Sequence, residues 1–284
     1  MSKLSNETIK TYFPILDKGV NDLFEFNTIN FQIFGIPPYL FFAILGFVVA
    51  TCVYIILMAS KGYDVTQCIK ILLPSIAGMA IGAKLFGFLT SIYRSIGNNA
   101  PITLDSIFDT GIVFYGGLFG FLIIYFLCLR LRFFNLEHHA INILVVCIPL
   151  FHAFARLGCF SSGCCYGMLY DGIGSVKYIV FVENGTNINM RLPIQLLESL
   201  FNLGIFLYLF YLQRNEAWRT KNILIKYLAI YSIGRFFLEY GRGDIRRGII
   251  GYISFSQAIS ILLWGVLIVL FIRKHKSLIG IKEE

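Results

Sequence analysis

The stretch PPYLFFAILGFVVATCVYIILMA, residues 37–59, carries no charged side chain over 23 residues. A helix needs about 20 apolar residues to cross the hydrocarbon core of a bilayer, and a soluble core helix rarely stays uncharged for so long. This segment therefore reads as a membrane span. Six further segments of similar character follow it, near 68–92, 111–131, 139–160, 193–213, 221–240 and 252–273. They are separated by polar breaks at Lys61-Gly62-Tyr63-Asp64, Gly97-Asn98-Asn99-Ala100-Pro101, Arg132 to His139, and Arg214 to Asn222. The expected fold is an all-α integral membrane protein of about seven transmembrane helices.

Composition agrees. Of 284 residues, 57% are hydrophobic and only 14% charged, against about a quarter charged in a soluble domain. The net charge of +8 does not mark a nucleic-acid binder, because the basic residues flank apolar runs instead of lining one amphipathic face. No nucleic-acid partner and no cofactor is expected. Residues 1–36 mix Lys3, Glu7, Lys10, Asp17, Lys18, Asp22 and Glu25 without an apolar centre, so they read as an extracytoplasmic segment and not as a cleavable signal peptide. The transmembrane domain is expected over 37–273, with a short extracytoplasmic insertion at about 161–192 and a tail at 274–284.

Short loops that keep Lys and Arg usually face the cytoplasm. One set holds Lys61, Arg130, Arg132, Arg214, Arg219, Lys221 and the tail with Arg273, Lys274, Lys276 and Lys282; the opposite set is sparser for its length. The N-terminus is thus predicted outside and the C-terminus cytoplasmic. The cluster Arg242-Gly243-Asp244-Ile245-Arg246-Arg247 is the exception on the poor side, and either a solvated loop or a site for anionic lipid headgroups accounts for it.

An ionisable side chain inside a span costs a few kcal/mol or more, so each needs a partner or a task. Lys84, Asp109, His152, Arg156, Glu198, Arg235 and Glu239 form this group. Arg235 and Glu239 are spaced to pair on one helical face, which fits a structural ion pair as well as a catalytic one. His152 and Arg156 share the spacing but not the sign, so an anionic ligand or a nearby carboxylate must justify them. Tyr115-Gly116-Gly117-Leu118-Phe119-Gly120 and Gly78-Met79-Ala80-Ile81-Gly82-Ala83 place small residues where helices approach closely; a lipid headgroup reaching the backbone there is compatible with the same pattern. The seven cysteines give no disulfide framework. Cys159, Cys164 and Cys165 stand close in sequence, but C-x4-C-C is no standard zinc spacing and adjacent cysteines do not easily face one ion, so no metal site is expected.

Several separated blocks, in order, resemble the bacterial prolipoprotein diacylglyceryl transferases: PPYLFFAILGF at 37–47 with Tyr39; Phe108-Asp109-Thr110-Gly111-Ile112-Val113-Phe114-Tyr115-Gly116-Gly117-Leu118; Ala155-Arg156-Leu157-Gly158-Cys159-Phe160 with Gly163 and Gly167; Arg191-Leu192-Pro193-Ile194-Gln195-Leu196-Leu197-Glu198; and Gly234-Arg235-Phe236-Phe237-Leu238-Glu239 with Arg242. The chain departs from the family pattern at Tyr115, Cys159, Cys164 and Leu192.

The resemblance implies a seven-helix enzyme of the bacterial cytoplasmic membrane. It would transfer a diacylglyceryl group from phosphatidylglycerol to the lipobox cysteine of a lipoprotein precursor. Those two molecules and the surrounding lipids are the implied partners. A phosphatidylglycerol-using transferase with another acceptor, or a non-catalytic lipid-binding or transport paralogue, are the alternatives; the inverted repeats of a transporter are not found. The implied catalytic residues are Arg156, Arg235, Glu239, His152 and Tyr115. Arg156 and Arg235 would hold the phosphate, with Glu239 orienting Arg235, and His152 or Tyr115 would act as base. Tyr39, Gly116, Gly117, Gly167, Arg242, Arg246 and Glu198 are the implied substrate-binding residues, Arg242 or Arg246 steering the headgroup at the outer surface.

Overall fold

A computed structural model describes residues 8–13, 24–27, 32–97, 114–134, 136–137, 139–182, 185–214, 222–243, 249–250 and 253–279. Among these, seven α-helices follow the seven apolar segments: α1 (Pro38–Ser60), α2 (Val65–Gly97), α3 (Phe114–Arg130), α4 (Ala140–Ser161), α5 (Ile194–Arg214), α6 (Ile223–Leu238) and α7 (Phe255–Ile279). Five of them contain stretches long and apolar enough to cross a membrane: Pro38–Ser60, Val65–Leu89, Ala140–Ser161, Ile194–Arg214 and Ser256–Arg273. Of the other two, α6 has 16 residues and reaches about 24 Å at 1.5 Å per residue, less than a hydrocarbon core of about 30 Å; α3 is described only from Phe114 onward.

The apolar faces of α1 and α7 confirm that water is not their solvent. Leu40, Ile44, Val48 and Ile56 on α1 and Leu262, Val266, Val269 and Phe271 on α7 are all exposed, a density of unburied apolar surface that a water-soluble monomer does not tolerate. The protein is a mostly helical membrane protein.

Strands add to the helical reading. β1 (Thr8–Phe13), β2 (Phe24–Asn27), β3 (Val176–Val182) and β4 (Gly185–Arg191) form an antiparallel sheet in the order β2-β1-β3-β4. Lys10 pairs with Ile179, and Val176 with Arg191. Both segments that sequence reading left as loops, before α1 and between α4 and α5, thus meet in one sheet. The remaining strands, β5 (Ile249–Ile250) and β6 (Ile253–Ser254), are antiparallel neighbours.

The chain divides into two compact units, Met1–Thr51 with Leu144–Glu284, and Cys52–Ile143. In the second unit Asp64 caps α2, its carboxylate accepting from the Thr66 N–H at 2.8 Å. The α2–α3 crossing is built on glycine. A Cβ at Gly82 would collide with the Gly116 carbonyl, and one at Gly120 with the Gly78 carbonyl. Only backbones without side chains approach so closely. Buried Tyr54 and Tyr125 share a hydrogen bond of 3.1 Å nearby in the same unit.

In the first unit, α1 and α4 cross through Gly46 and Gly158. A Cβ on Gly46 would meet Phe154 Cβ at 2.5 Å, and one on Gly158 would meet the Tyr39 carbonyl at 3.2 Å. Gly234 on α6 receives the ring of Phe201 from α5. Ser199 Oγ on α5 donates to the Ala153 carbonyl of α4 at 2.9 Å. The start of α7 is a capping box: the Gln257 N–H donates to Ser254 Oγ at 3.2 Å, and the Ser254 N–H to Gln257 Oε1 at 3.0 Å. Trp264 then ties α7 to α6, its indole N–H donating to Ser232 Oγ at 3.0 Å.

Candidate active site

These crossings bring α4, α5 and α6 together around buried charge. Arg156, from α4, meets Glu198 of α5 through Nε at 2.8 Å to Oε2. Arg235, from α6, meets the other oxygen of the same carboxylate through Nη1 at 2.5 Å. Arg235 Nη2 contacts Glu239 Oε2 at 2.8 Å and donates to Ser256 Oγ at 3.0 Å. The four charges therefore alternate in a chain, Arg156, Glu198, Arg235, Glu239. All four residues are at least nine-tenths buried.

Local structure explains each position. Helical spacing sets Arg235 and Glu239 on one face, as the sequence predicts, and the chain tightens after Leu238 into a 3-10 turn, Glu239–Gly241, that keeps the Glu239 carboxylate under the helix end. The capping box fixes Ser256 two residues into α7, facing Arg235. Glu198 is the hub of the ion chain. Sequence reading assigned it to substrate binding, whereas its two oxygens are engaged by two guanidiniums. Because Glu198 takes Arg156 through Nε, the terminal Nη1–Nη2 edge of Arg156 is not spent on that pair and suits a bidentate oxyanion.

His152 lies one turn before Arg156 and is buried, its ring centroid 5.6 Å from that of Tyr231. Together with Arg156, Glu198, Asn202, Tyr231 and Arg235, and with apolar Phe201 and Leu238, it lines a small cavity. Asn202 Oδ1 is buried there without a hydrogen-bond partner, while its amide nitrogen donates to the Glu198 carbonyl at 2.7 Å. An orphan acceptor beside guanidiniums is a place for a water or a ligand hydroxyl.

Beyond the end of α4, residues 166–170 run between two other segments. Met168 N–H donates to the Gly241 carbonyl at 2.9 Å and Gly243 N–H to the Tyr166 carbonyl at 3.0 Å on one side; Leu192 N–H donates to the Met168 carbonyl at 3.1 Å on the other. Gly167 sits where a Cβ would strike the Leu192 carbonyl, so its role here is close backbone approach. Its carbonyl also accepts from Arg191 Nη1 at 3.0 Å. The Gly167–Arg242 bridge holds Arg242 in a buried position. Arg242 is thus buried in this structure, where sequence reading expected it at the outer surface.

The last turn of α4 and the loop that follows it carry the thiols. Cys159, Cys164 and Cys165 place their three Sγ atoms within 4.8 Å of one another, against the expectation that the adjacent pair diverges. The reason is backbone conformation: Gly163 and Cys165 have positive φ, 66° and 56°, and the resulting turn folds the Cys165 side chain back toward its neighbours. Gln195 clamps the loop, Nε2 donating to the Cys164 carbonyl at 2.8 Å and to Tyr178 Oη at 3.0 Å. Hydrogen bonds from the Cys159 and Cys164 thiols, and then the Arg156 and Arg242 guanidiniums, hold the Cys165 thiol below its ordinary range. Burial pushes Tyr178 up to about 12.

Tyr39, at the start of α1, is within electrostatic reach of the three cysteines and Arg156. Gly116 and Gly117 are buried in the other unit, Gly116 against Gly82 and Phe86, and Gly117 with Met79 and Ala83 as neighbours of its Cβ direction. Tyr115 is in α3, its side chain outside the described residues, and Arg246 and Asp109 lie outside them altogether.

This ordering of glycines, intramembrane arginines and acids has a counterpart among known proteins. The family model for prolipoprotein diacylglyceryl transferase matches residues 27–273. The chain belongs to this family. It is 31% identical over 244 residues to the phosphatidylglycerol–prolipoprotein diacylglyceryl transferase 2 of Clostridium perfringens, covering 84% of this chain and 92% of that one. With the Clostridium tetani transferase it shares 29% identity over 234 residues, 81% of this chain and 91% of the relative. With that of Clostridium novyi it shares 29% over 266 residues, 88% and 98%. The prolipoprotein diacylglyceryl transferase family is thus matched along nearly the whole described helical region.

Sequence reading missed Gln195 as the clamp of the thiol loop, and Asn202, Tyr231 and Ser256 as site residues. Asn202 and Tyr231 were within reach of it, being one helical turn from Glu198 and Arg235 on the same faces. Ser256 had no signal, since its contact depends on how α7 starts.

Proposed function

We propose that this protein transfers a diacylglyceryl group from phosphatidylglycerol to the lipobox cysteine of lipoprotein precursors, as a multi-pass enzyme of the bacterial cytoplasmic membrane. The observation that carries the reading is the pair of buried guanidiniums, Arg156 and Arg235, gripped by the single carboxylate of Glu198. Burying two arginines in a membrane protein is expensive unless charge is needed there. A phosphodiester is the anion that a planar guanidinium edge fits.

In this reaction the acceptor thiolate attacks the glyceryl carbon bearing the phosphate. A C–S bond forms, the C–O bond to phosphate breaks, and glycerol phosphate departs with the bonding pair. Arg156 neutralises the leaving phosphate through its terminal edge. Glu198, Glu239 and Ser256 fix Arg235, so that neither cation must reorganise as charge shifts. His152 is the base nearest this cavity, and Tyr115 is the alternative base. Tyr39 and Arg246 are assigned to substrate contact.

The topology proposed with this function has seven spans, the N-terminal segment 1–36 and the insertion at 161–192 outside, and the tail 274–284 in the cytoplasm. The basic-residue asymmetry supports it, as does the pairing of β1 with β3, which requires residues 8–13 and 176–182 to lie on one side of the membrane. The short helix α6 spans by local thinning of the bilayer.

The test is mass spectrometry of a lipobox peptide incubated with purified protein in phosphatidylglycerol nanodiscs. The expected result is a diacylglyceryl mass gain on the cysteine, lost in Arg156→Ala. No gain from folded, lipid-binding protein rejects the lipobox acceptor.

A further inference from the structure

Cys159, Cys164 and Cys165 are the one group of three or more His, Cys, Asp or Glu side chains among the described residues whose donor atoms converge. All three are free thiols. A zinc ion with Zn–S bonds of about 2.3 Å separates its sulfurs by about 3.8 Å in a tetrahedron. Sulfurs already within 4.8 Å of one another need only small side-chain rotations to reach that spacing. The positions are also held: Cys159 ends α4 in the buried interior, Gln195 fixes the Cys164 carbonyl, and the positive φ of Cys165 presets its direction. Cys164 and Cys165 are half-buried, which leaves the cluster open to an incoming group.

We propose that these thiols bind one thiophilic divalent cation, zinc, as three thiolates, and that its fourth position takes the acceptor thiol of the peptide substrate. The idea rests on the transferase reading above. Three protein ligands with a fourth place for substrate is the pattern of a reactive zinc, whereas a structural one closes all four. Three thiolates on a divalent ion carry one net negative charge, and Arg156 and Arg242 are the cations beside them.

A thiol that coordinates zinc gives up its proton. The acceptor S–H would give that proton to the base of the reaction above, and the zinc-bound sulfur would form the C–S bond as the glyceryl C–O bond breaks. The neutral thioether is a weak ligand and leaves the metal. Arg156 places the phosphate next to the same cluster, so electrophile and nucleophile meet there.

Full-length protein in phosphatidylglycerol nanodiscs, loaded with Zn2+ and desalted, is expected to retain about one zinc per chain. Cys159→Ser, Cys164→Ser and Cys165→Ser should each lower retention at least tenfold. Co2+ in place of zinc should show tetrahedral thiolate bands, and a lipobox peptide, but not its Cys→Ser analogue, should shift them. The cobalt titration of unmodified protein stands even where a serine variant fails to fold.

Background zinc with all three thiols alkylatable, or a disulfide between two of them in the enzyme as isolated, overturns the proposal. Peptide adduct formation at an unchanged rate after the metal is stripped by chelator also overturns it, and leaves the transferase reading intact. Cobalt bands that respond to the peptide with no adduct formed uphold the metal site and reject the transferase reading.

Discussion

Replacing Glu198 by glutamine tests the site more sharply than removing either arginine. The side chain keeps its shape and one carbonyl oxygen, yet the chain of charges changes from two cations and two anions to two cations and one anion. Two ion contacts lose their charge at once, those with Arg156 Nε and Arg235 Nη1, and Glu198 is only 2% exposed, so water cannot compensate. Leaving a buried charge uncompensated costs about 3–5 kcal/mol. At about 2–4 °C per kcal/mol for a chain of this size, the apparent Tm in detergent should fall by roughly 6–20 °C. Phosphatidylglycerol supplies the missing anion, so it should raise the Tm of Glu198→Gln more than that of the parent, whereas a zwitterionic lipid should not. The double variant Arg156→Gln, Glu198→Gln is balanced again and should recover part of the loss, giving a coupling energy of 0.5–3 kcal/mol, roughly the range for residues in contact. A Glu198→Gln protein with parental Tm and parental lipid response would refute the claim that this carboxylate holds both guanidiniums.

Gly120→Ala places a methyl against the Gly78 carbonyl and should destabilise the α2–α3 crossing by about 1–3 kcal/mol; an unchanged thermal unfolding curve would refute that packing. Gln195→Leu removes the clamp on the Cys164 carbonyl and should speed maleimide labelling of Cys164 severalfold, measured by mass spectrometry, without changing labelling of exposed Cys52. Tyr178 is raised in the folded state, so neutral Tyr178 stabilises the fold below pH 10 and that contribution is lost as pH rises from about 10 to about 12. Comparing alkaline unfolding of the parent and Tyr178→Phe should show a smaller loss of stability over that window in the variant.

The helices were legible because the bilayer demands one kind of segment, apolar and about 20 residues long, and residues 37–59 leave no other reading. Helical spacing likewise exposed the Arg235–Glu239 pair. What sequence could not give is which partner an intramembrane charge finds on another helix. Glu198 joins Arg156 and Arg235 only because Gly234 accepts the Phe201 ring and lets α5 and α6 close. Strand β1 was invisible for a related reason: residues 8–13 pair with residues 176–182 across more than 160 positions, and strand pairing at that distance leaves no local pattern. The convergence of the three thiols was not legible because spacing alone assumes ordinary φ, and the turn at Cys165 does not have it.

The balance of charge also predicts how the site meets its lipid. Arg156, Glu198, Arg235 and Glu239 sum to zero before a ligand arrives, and a phosphodiester brings one negative charge. A neutral buried network that gains an anion must meet it with a guanidinium edge that no carboxylate occupies, and Arg156 has one. Phosphatidylglycerol should then bind about tenfold or more weakly to Arg156→Gln than to the parent, measured by lipid titration of the folded variant, the loss expected for a hydrogen bond to a charged group. An unchanged affinity in Arg156→Gln would mean that the anion is neutralised elsewhere, with buried Arg242, beside Cys165, as a further cation.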